Sequence, residues 1–153
     1  MESIQSTSKT VKFRILRYKP NRIDPPRYQD FSLQVEPKMS VLDALEKIRL
    51  EQDNTLMYRH SCHHSSCGTC ACMINDVPRP ACVTGVLDLG TATVTLEPLT
   101  GFRTIGDLVV GMRDFYADLS AEWRGLRAAE DMAGKRSPQS HPGPVRFENC
   151  IEC

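Results

Sequence analysis

Several features that would place this chain in a membrane or on nucleic acid are missing from its sequence. No apolar run reaches the ~18 residues that a membrane-spanning helix needs. Lysine plus arginine and aspartate plus glutamate both number 19, so the formal net charge is zero. A neutral chain has no basic field to hold nucleic acid or an anionic membrane surface. The first residues also lack the basic and apolar regions of a secretory signal. We therefore expect no nucleic-acid partner and no transmembrane span, with any membrane contact made through other subunits.

Cysteine, in contrast, is abundant: the 153 residues include seven. Disulfides persist mainly in exported proteins, and no export signal is visible here. The cysteines therefore indicate metal or redox chemistry rather than a disulfide framework. Hydrophobic residues make up 41% of the chain and charged residues 25%, which is typical of a globular protein.

Four of the cysteines form a recognisable metal-binding pattern, C-x4-C-x2-C followed by a later cysteine. They are Cys62, Cys67, Cys70 and Cys82. This is the plant-type ferredoxin spacing for a 2Fe–2S cluster, which takes four cysteine thiolates. Gly68, inside the motif, would let the backbone approach the cluster closely. The pattern predicts these four residues as cluster ligands and indicates transfer of single electrons.

Three residues near the motif, Cys72, His63 and His64, could also bind metal but are not predicted to be ligands. Cys72 follows Cys70 on a presumed strand and is predicted to be a small buried residue rather than a ligand. His63 and His64 adjoin Cys62, and Rieske centres use two histidines as ligands. Since four cysteines already suffice, we predict that both histidines are exposed loop residues.

A second cysteine pair, Cys150 and Cys153, ends the chain in a C-x2-C arrangement. This pair matches the first two ligands of a 4Fe–4S motif, and the remaining ligands would have to come from elsewhere. A terminal pair without a ligand role is one alternative, and zinc held jointly by this pair and by Cys67 and Cys70 is another. Zinc-binding pairs are usually ~15–20 residues apart, and the gap here is far longer.

The hydrophobic pattern predicts a small α+β domain. Alternation of apolar and polar residues, or a short apolar run, predicts strands at 11–18, 30–35, 71–74, 81–86 and 92–96. A capping box at Ser40 and Asp43 precedes a helix predicted to end near Glu51. We expect the Pro25–Pro26 pair to break regular structure and residues 75–76 to form a turn.

The order of these elements favours a β-grasp fold, in which one helix covers a face of a mixed sheet. Apolar residues recurring at three and four predict an amphipathic helix over 104–119. We therefore expect a domain at residues 1–120, a proline-rich and charged linker at 121–149, and the start of an incomplete 4Fe–4S motif at 150–153. The linker would lead to a helical domain that is absent or truncated.

Short segments throughout the chain carry a family likeness. They are Arg17-Tyr18-x-Pro20, Leu42-Asp43-Ala-Leu45, Arg59-His-Ser-Cys62, Pro80-Ala-Cys82-Val-Thr84, Ile105-x-Asp107-Leu-Val-Val110 and Cys150-Ile-x-Cys153, together with the eleven-residue gap between Cys70 and Cys82. In this combination the chain resembles the iron–sulfur subunit of succinate dehydrogenases and fumarate reductases, over about residues 11–120 and 147–153. It departs from the family at Ser65, where most members have glycine.

The resemblance implies a position in an electron-transfer chain. In the family, electrons pass from FAD on a flavoprotein subunit to the 2Fe–2S cluster, then through 4Fe–4S and 3Fe–4S clusters to quinone at a membrane anchor. Fumarate reductases run the chain in reverse. By this likeness the first four cysteines match the 2Fe–2S ligands, and Cys150 and Cys153 match two ligands of the 4Fe–4S cluster. The protein would be a non-catalytic oxidoreductase subunit, cytoplasmic or bound to the inner face of a membrane through its complex.

Two other functions remain as alternatives. The small subunit of molybdenum hydroxylases uses the same C-x4-C-x2-C motif, but it also contains a second cysteine set that includes C-x-C in a helical domain, and nothing comparable follows Cys82. A stand-alone ferredoxin-like carrier is the other alternative. The predicted helix at 104–119 and the broken second motif argue against it, because both features call for a partner.

Overall fold

This computed structural model describes residues 8–113 and Ala117, within which seven strands and one α-helix are complete. In chain order the elements are β1 (Lys9–Lys19), β2 (Ile23–Val35), α1 (Val41–Glu51), β3 (Ala71–Ile74), β4 (Val77–Pro80), a 3-10 helix (Leu87–Leu89), β5 (Thr93–Glu97), β6 (Arg103–Gly106) and β7 (Val109–Gly111).

Five of the strands form one mixed sheet in the order β2-β1-β5-β3-β4. Strand β1 is parallel to β5, and every other neighbouring pair is antiparallel. Strands β6 and β7 form a separate hairpin. A mixed sheet with a single helix among the described elements confirms the predicted α+β, β-grasp class.

The core lies between the helix and one face of the sheet. Alternate residues of β1, and of β2 from Phe31 to Val35, are buried, because successive side chains of a strand point to opposite faces. They meet the apolar side of α1, and the largest contributors are Phe13, Ile15, Phe31, Leu33, Val41, Leu42, Leu45 and Ile48. Burying each such side chain fully contributes about 1.5–3 kcal/mol, so this contact fixes the helix over the sheet.

Strand β2 differs from the prediction at its start. Pro25 and Pro26 do not break regular structure, because the strand begins at Ile23 and contains both. It is an edge strand, so an N–H on its outer side has no neighbouring strand to bond, and the proline on the inner side lies where the pairing with β1 is irregular. The pairing with β1 shifts register between Arg17 and Lys19, opposite the two prolines.

The strand predicted at 81–86 is wrong. The strand that follows β3 in the chain and pairs with it is β4, and the two are joined by the predicted turn at Asn75 and Asp76, whose positive φ angles suit a type I′ hairpin. Beyond β4 the chain turns toward the start of α1. There the carbonyl of Ala81 accepts the N–H of Leu42, and the carbonyl of Thr84 accepts the N–H of Val41, at 3.0 and 2.8 Å. The segment satisfies otherwise unpaired N–H groups of the helix instead of extending the sheet.

The helix predicted at 104–119 is wrong over its first half, where the structure has the β6–β7 hairpin. A turn at Asp107, whose φ is 43°, reverses the chain and places Leu108 in the core. Spacing at three and four therefore reflected burial on both sides of a turn rather than one helical face. Of the second half, the structure describes Arg113 and Ala117, both helical, and the remainder lies outside the described residues.

The capping box that begins α1 is present, which leads to a prediction. The Ser40 hydroxyl accepts the N–H of Asp43 at 3.1 Å, and the Asp43 carboxylate accepts the N–H of Ser40 at 2.9 Å. We expect Ser40→Ala to lower the free energy of unfolding by about 1 kcal/mol. Urea unfolding followed by circular dichroism measures the change. Ser32→Ala, at an exposed strand position, is the control, and an equal loss there would contradict a capping role.

Candidate metal centre

The fold brings the four predicted cysteine ligands to one end of the β3–β4 hairpin. Cys70 directly precedes β3 and Cys82 lies two residues beyond β4, and the strands pair Ala71 with Pro80. The N–H of Ala81 donates to the carbonyl of Cys70 at 3.3 Å, which holds the two ends of the hairpin together. Cys62 and Cys67 come from the loop that precedes β3.

This loop turns its backbone N–H groups toward two of the sulfurs. The N–H groups of Ser66 and Cys67 donate to Cys62 Sγ at 3.2 and 3.3 Å, and the N–H of Ser65 donates to Cys82 Sγ at 3.3 Å. Positive φ angles at His63, Ser65 and Gly68 produce the inward turns. Donors aimed at sulfur favour the thiolate, which is the form that binds iron.

The sulfurs differ in their acid strength. The backbone N–H of His64 is the largest influence on Cys62, and with the N–H groups of Cys67 and Ser66 it lowers the pKa of that thiol to about 6. Burial raises the pKa of Cys82, and the neighbouring Cys70 raises it further. A loop that stabilises a thiolate at Cys62 is chemically suited to a positively charged metal group.

The donor set fits a 2Fe–2S cluster. The sulfur of Cys62 interacts with those of Cys67 and Cys82, and Cys82 interacts with Cys70, so each of the four thiols neighbours at least one other. None of the four forms a disulfide. Among the described residues, no three His, Cys, Asp or Glu side chains are arranged to hold a single metal ion. A binuclear cluster divides its four thiolates between two irons, so it does not require three ligands around one point.

The side chains of the remaining sequence candidates are buried in the core, contact groups other than the four sulfurs, or lie outside the described residues. Cys72 is in the core with 2% of its surface exposed, and burial raises its pKa to about 12, so it stays a neutral thiol. The exposed His63 contacts His60, and His64 contacts the backbone carbonyl of Cys62. Cys150 and Cys153 are outside the described residues.

A buried ionic network around Arg17 is not evident from residue pattern alone. The Arg17 side chain is 1% exposed and donates to Asp53 and Gln29 at 2.6 Å and to Thr55 at 3.0 Å. Its Nε lies 3.1 Å from the Oδ1 of fully buried Asp107, as an ion pair whose angle is unsuited to a hydrogen bond. Family-like segments contain both Arg17 and Asp107, but alternation within a strand does not distinguish a buried arginine from an exposed one.

Ser65 occupies a left-handed conformation, with φ at 62°, which glycine adopts without steric cost. We expect Ser65→Gly to raise the stability of the cluster-loaded chain by about 0.5–1 kcal/mol. Ser66→Gly is the matched control, because Ser66 has no positive φ and glycine there only adds freedom to the unfolded chain. Thermal unfolding measures both. Equal destabilisation by the two substitutions would show that the Ser65 conformation is not strained.

A β-grasp sheet that holds four cysteines at this spacing defines a 2Fe–2S protein of the ferredoxin type. The chain belongs to the family of 2Fe–2S iron–sulfur cluster binding domains, whose match covers residues 12–117.

Comparison with known proteins shows which 2Fe–2S proteins this chain is similar to. The chain is 31% identical over 148 residues to the fumarate reductase iron–sulfur subunit of Mycobacterium tuberculosis, covering 94% of this chain and 60% of that protein. It is 32% identical to the mitochondrial succinate dehydrogenase [ubiquinone] iron–sulfur subunit 1 of Oryza sativa subsp. japonica, covering 94% of this chain and 52% of that protein. The fold is similar to a chain of the Mycobacterium smegmatis Sdh1 complex in the apo form. There the TM-score is 0.64 at 23% identity, over 80% of this chain and 56% of that one.

The family resemblance inferred from short sequence segments is thus confirmed, since the similar proteins are iron–sulfur subunits of succinate dehydrogenase and fumarate reductase. The chain spans roughly half to three-fifths of the length of these curated relatives, from 52% to 61%. Within the described residues, no helix combines the length and apolar character required to cross a membrane.

Proposed function

We propose that this chain carries single electrons through a 2Fe–2S cluster bound by Cys62, Cys67, Cys70 and Cys82. The observation that carries the proposal is the convergence of these thiols at one end of the β3–β4 hairpin, with loop N–H groups directed at Cys62 and Cys82. When bound, such a cluster supplies one-electron oxidation and reduction. The chain's membership in a 2Fe–2S binding family supports the same group.

The residues around the four thiols would tune the reduction potential of the cluster and leave one side of it accessible to a redox partner. The N–H groups of Ser65, Ser66 and Cys67 stabilise negative charge on sulfur, which raises the reduction potential relative to a site without such donors. Cys62, Cys67 and Cys82 are partly exposed, whereas Cys70 is buried. Electrons would therefore enter or leave at the exposed side of the loop, where a redox partner can approach.

We further propose that the partner is an FAD-containing flavoprotein subunit of a succinate dehydrogenase or fumarate reductase. The named relatives are iron–sulfur subunits of these enzymes, which supports the assignment. The chain would be a non-catalytic oxidoreductase subunit, because the reaction with the dicarboxylate takes place at the flavin of the partner.

Transfer beyond this cluster would need protein outside the described residues. In the proposed complex Cys150 and Cys153 are the first two ligands of a 4Fe–4S cluster. A further 3Fe–4S cluster and membrane-anchor subunits would lead to quinone. The chain would then be located at the membrane peripherally, through its complex.

Co-purification from the native organism tests the proposed partner. We expect the tagged chain to retain a flavoprotein that contains FAD. Adding succinate to the complex, without dithionite, should reduce the cluster and produce the 2Fe–2S EPR signal. Recovery of a molybdopterin subunit would support the molybdenum hydroxylase alternative instead. A cluster-loaded chain that remains monomeric and unreduced by succinate would favour the stand-alone carrier.

A further inference from the structure

The carboxylate of Asp107 connects two distant segments of the fold. Its Oδ1 accepts the N–H of Tyr18, at the end of β1, and its Oδ2 accepts the N–H of Met57, with both distances 2.9 Å. The same Oδ1 is 3.1 Å from Arg17 Nε. Asp107 is fully buried, so this carboxylate depends on these partners for the stabilisation that water would otherwise supply.

Met57 begins the segment that leads into the first cysteine. Residues 57–61, which we call the entry arm, precede Cys62 directly. The β6–β7 hairpin holds this arm at three points. Besides the Asp107 carboxylate on the Met57 N–H, the N–H of Leu108 donates to the Met57 carbonyl at 3.1 Å, and the Arg59 guanidinium donates to the Val110 carbonyl at 3.2 Å.

The hairpin also approaches the entry arm closely. A Cβ atom added at Gly106 would lie 2.8 Å from the sulfur of Met57, so the residue before Asp107 has room for no side chain without movement of Met57. The hairpin and the arm are therefore packed together as well as hydrogen-bonded.

The backbone of Asp107 supports a specific role for this residue. Its φ of 43° is uncommon for a residue other than glycine and is held by the surrounding bonds, including its own N–H to the Tyr18 carbonyl at 2.8 Å. Residues held in such conformations concentrate at functional sites, where neighbouring structure fixes them.

We propose that Asp107 is a positioning residue for the 2Fe–2S cluster. By fixing the Met57 N–H, it sets where the entry arm delivers Cys62 relative to the N–H groups of Ser66 and Cys67. Because N–H donors to the ligand sulfurs tune a cluster's potential, displacement of the arm changes the potential as well as stability. The inference rests on the proposed function in taking Cys62 as a cluster ligand.

Asp107→Asn and Asp53→Asn in the cluster-loaded full chain form a matched pair. Both remove a carboxylate from Arg17, but only Asp107 also holds the Met57 N–H. Asparagine tolerates a positive φ and is the same size as aspartate. Its single oxygen is expected to stay with Arg17 and the Tyr18 N–H, so its NH2 group faces the Met57 N–H, which then has no acceptor. We expect both variants to lower the melting temperature. Only Asp107→Asn should change the g-values of the reduced-cluster EPR signal and shift its one-electron reduction equilibrium at least threefold.

Wild-type g-values and potential in Asp107→Asn would overturn the inference, as would equal spectral changes in both variants. A measurement on the unmodified chain does not depend on either variant folding. We expect the Met57 amide to exchange with deuterium at least a hundredfold more slowly than an unprotected amide, and rapid exchange there would also overturn the inference. If the unmodified chain lacks a 2Fe–2S signal, the cluster assignment fails, while Met57 exchange still decides whether Asp107 holds the arm.

Discussion

Cys67→Ser is expected to abolish or strongly alter the 2Fe–2S EPR signal of the reconstituted chain, whereas Cys72→Ala leaves it intact. Cys67 lies in the loop beside the thiol of Cys62, while Cys72 is enclosed in the core, where burial raises its pKa to about 12. Iron binds the thiolate, so a buried neutral thiol is a poor substitute ligand. Reduced-state EPR and iron analysis of the two variants measure the effect.

The Cys72 variant is the control for general damage at a nearby cysteine. Alanine there removes one buried sulfur and costs some stability, but it leaves no unpaired polar group in the core. An unchanged cluster in Cys67→Ser, or loss of the cluster only in Cys72→Ala, would contradict the ligand assignment.

Arg17→Met is expected to have the largest effect on folding, lowering the free energy of unfolding by about 3–5 kcal/mol. Arg17 is buried between the carboxylates of Asp53 and Asp107. Removing the guanidinium leaves both without their cation, and the fully buried Asp107 bears most of that cost. Urea unfolding at neutral pH measures the loss. Lys12→Met is the control, because Lys12 pairs with Asp30 at the exposed surface, where such pairs contribute about 0–1 kcal/mol.

The deficit of Arg17→Met should depend on pH. Burial alone would raise the pKa of Asp53, but hydrogen bonds from Arg17 and Thr55 outweigh it and hold that pKa well below its usual range. A depressed carboxylate pKa stabilises the folded state above about pH 4 and loses this contribution as the pH falls. Without Arg17, protonation relieves the unpaired charge. The two proteins should therefore differ more in stability at pH 7 than near pH 3, and a deficit that grows on acidification would contradict the network.

The elements that the sequence predicts well are those whose signals are local. Alternation marks the buried face of β1, and Ser40 with Asp43 marks the start of α1, because a capping box is complete within four residues. The errors occur where tertiary contacts decide. Prolines fit in β2 because it is an edge strand whose pairing with β1 is irregular beside them, and residues 81–86 turn away to cap α1. Neither condition can be read from neighbouring residues.

The candidate site also contains some residues that the sequence predicts and others that only the structure reveals. Cysteine spacing indicates the four thiols, because a loop of fixed length must bring them to one cluster. The donors to sulfur are backbone N–H groups of Ser65, Ser66 and Cys67. Their direction depends on left-handed conformations at His63 and Ser65, which the residue types histidine and serine do not predict. The role of Asp107 could not be predicted from the sequence either, because the apolar spacing around it is typical of a helix, whereas the structure has a turn there.

Iron analysis combined with EPR of the anaerobically reconstituted, unmodified chain tests the central claim most directly. The four thiols of the described loop and hairpin predict about two irons per chain and, after reduction, a rhombic signal from a 2Fe–2S cluster. Bound zinc with no such signal would contradict the assignment of this chain as a 2Fe–2S electron-transfer protein.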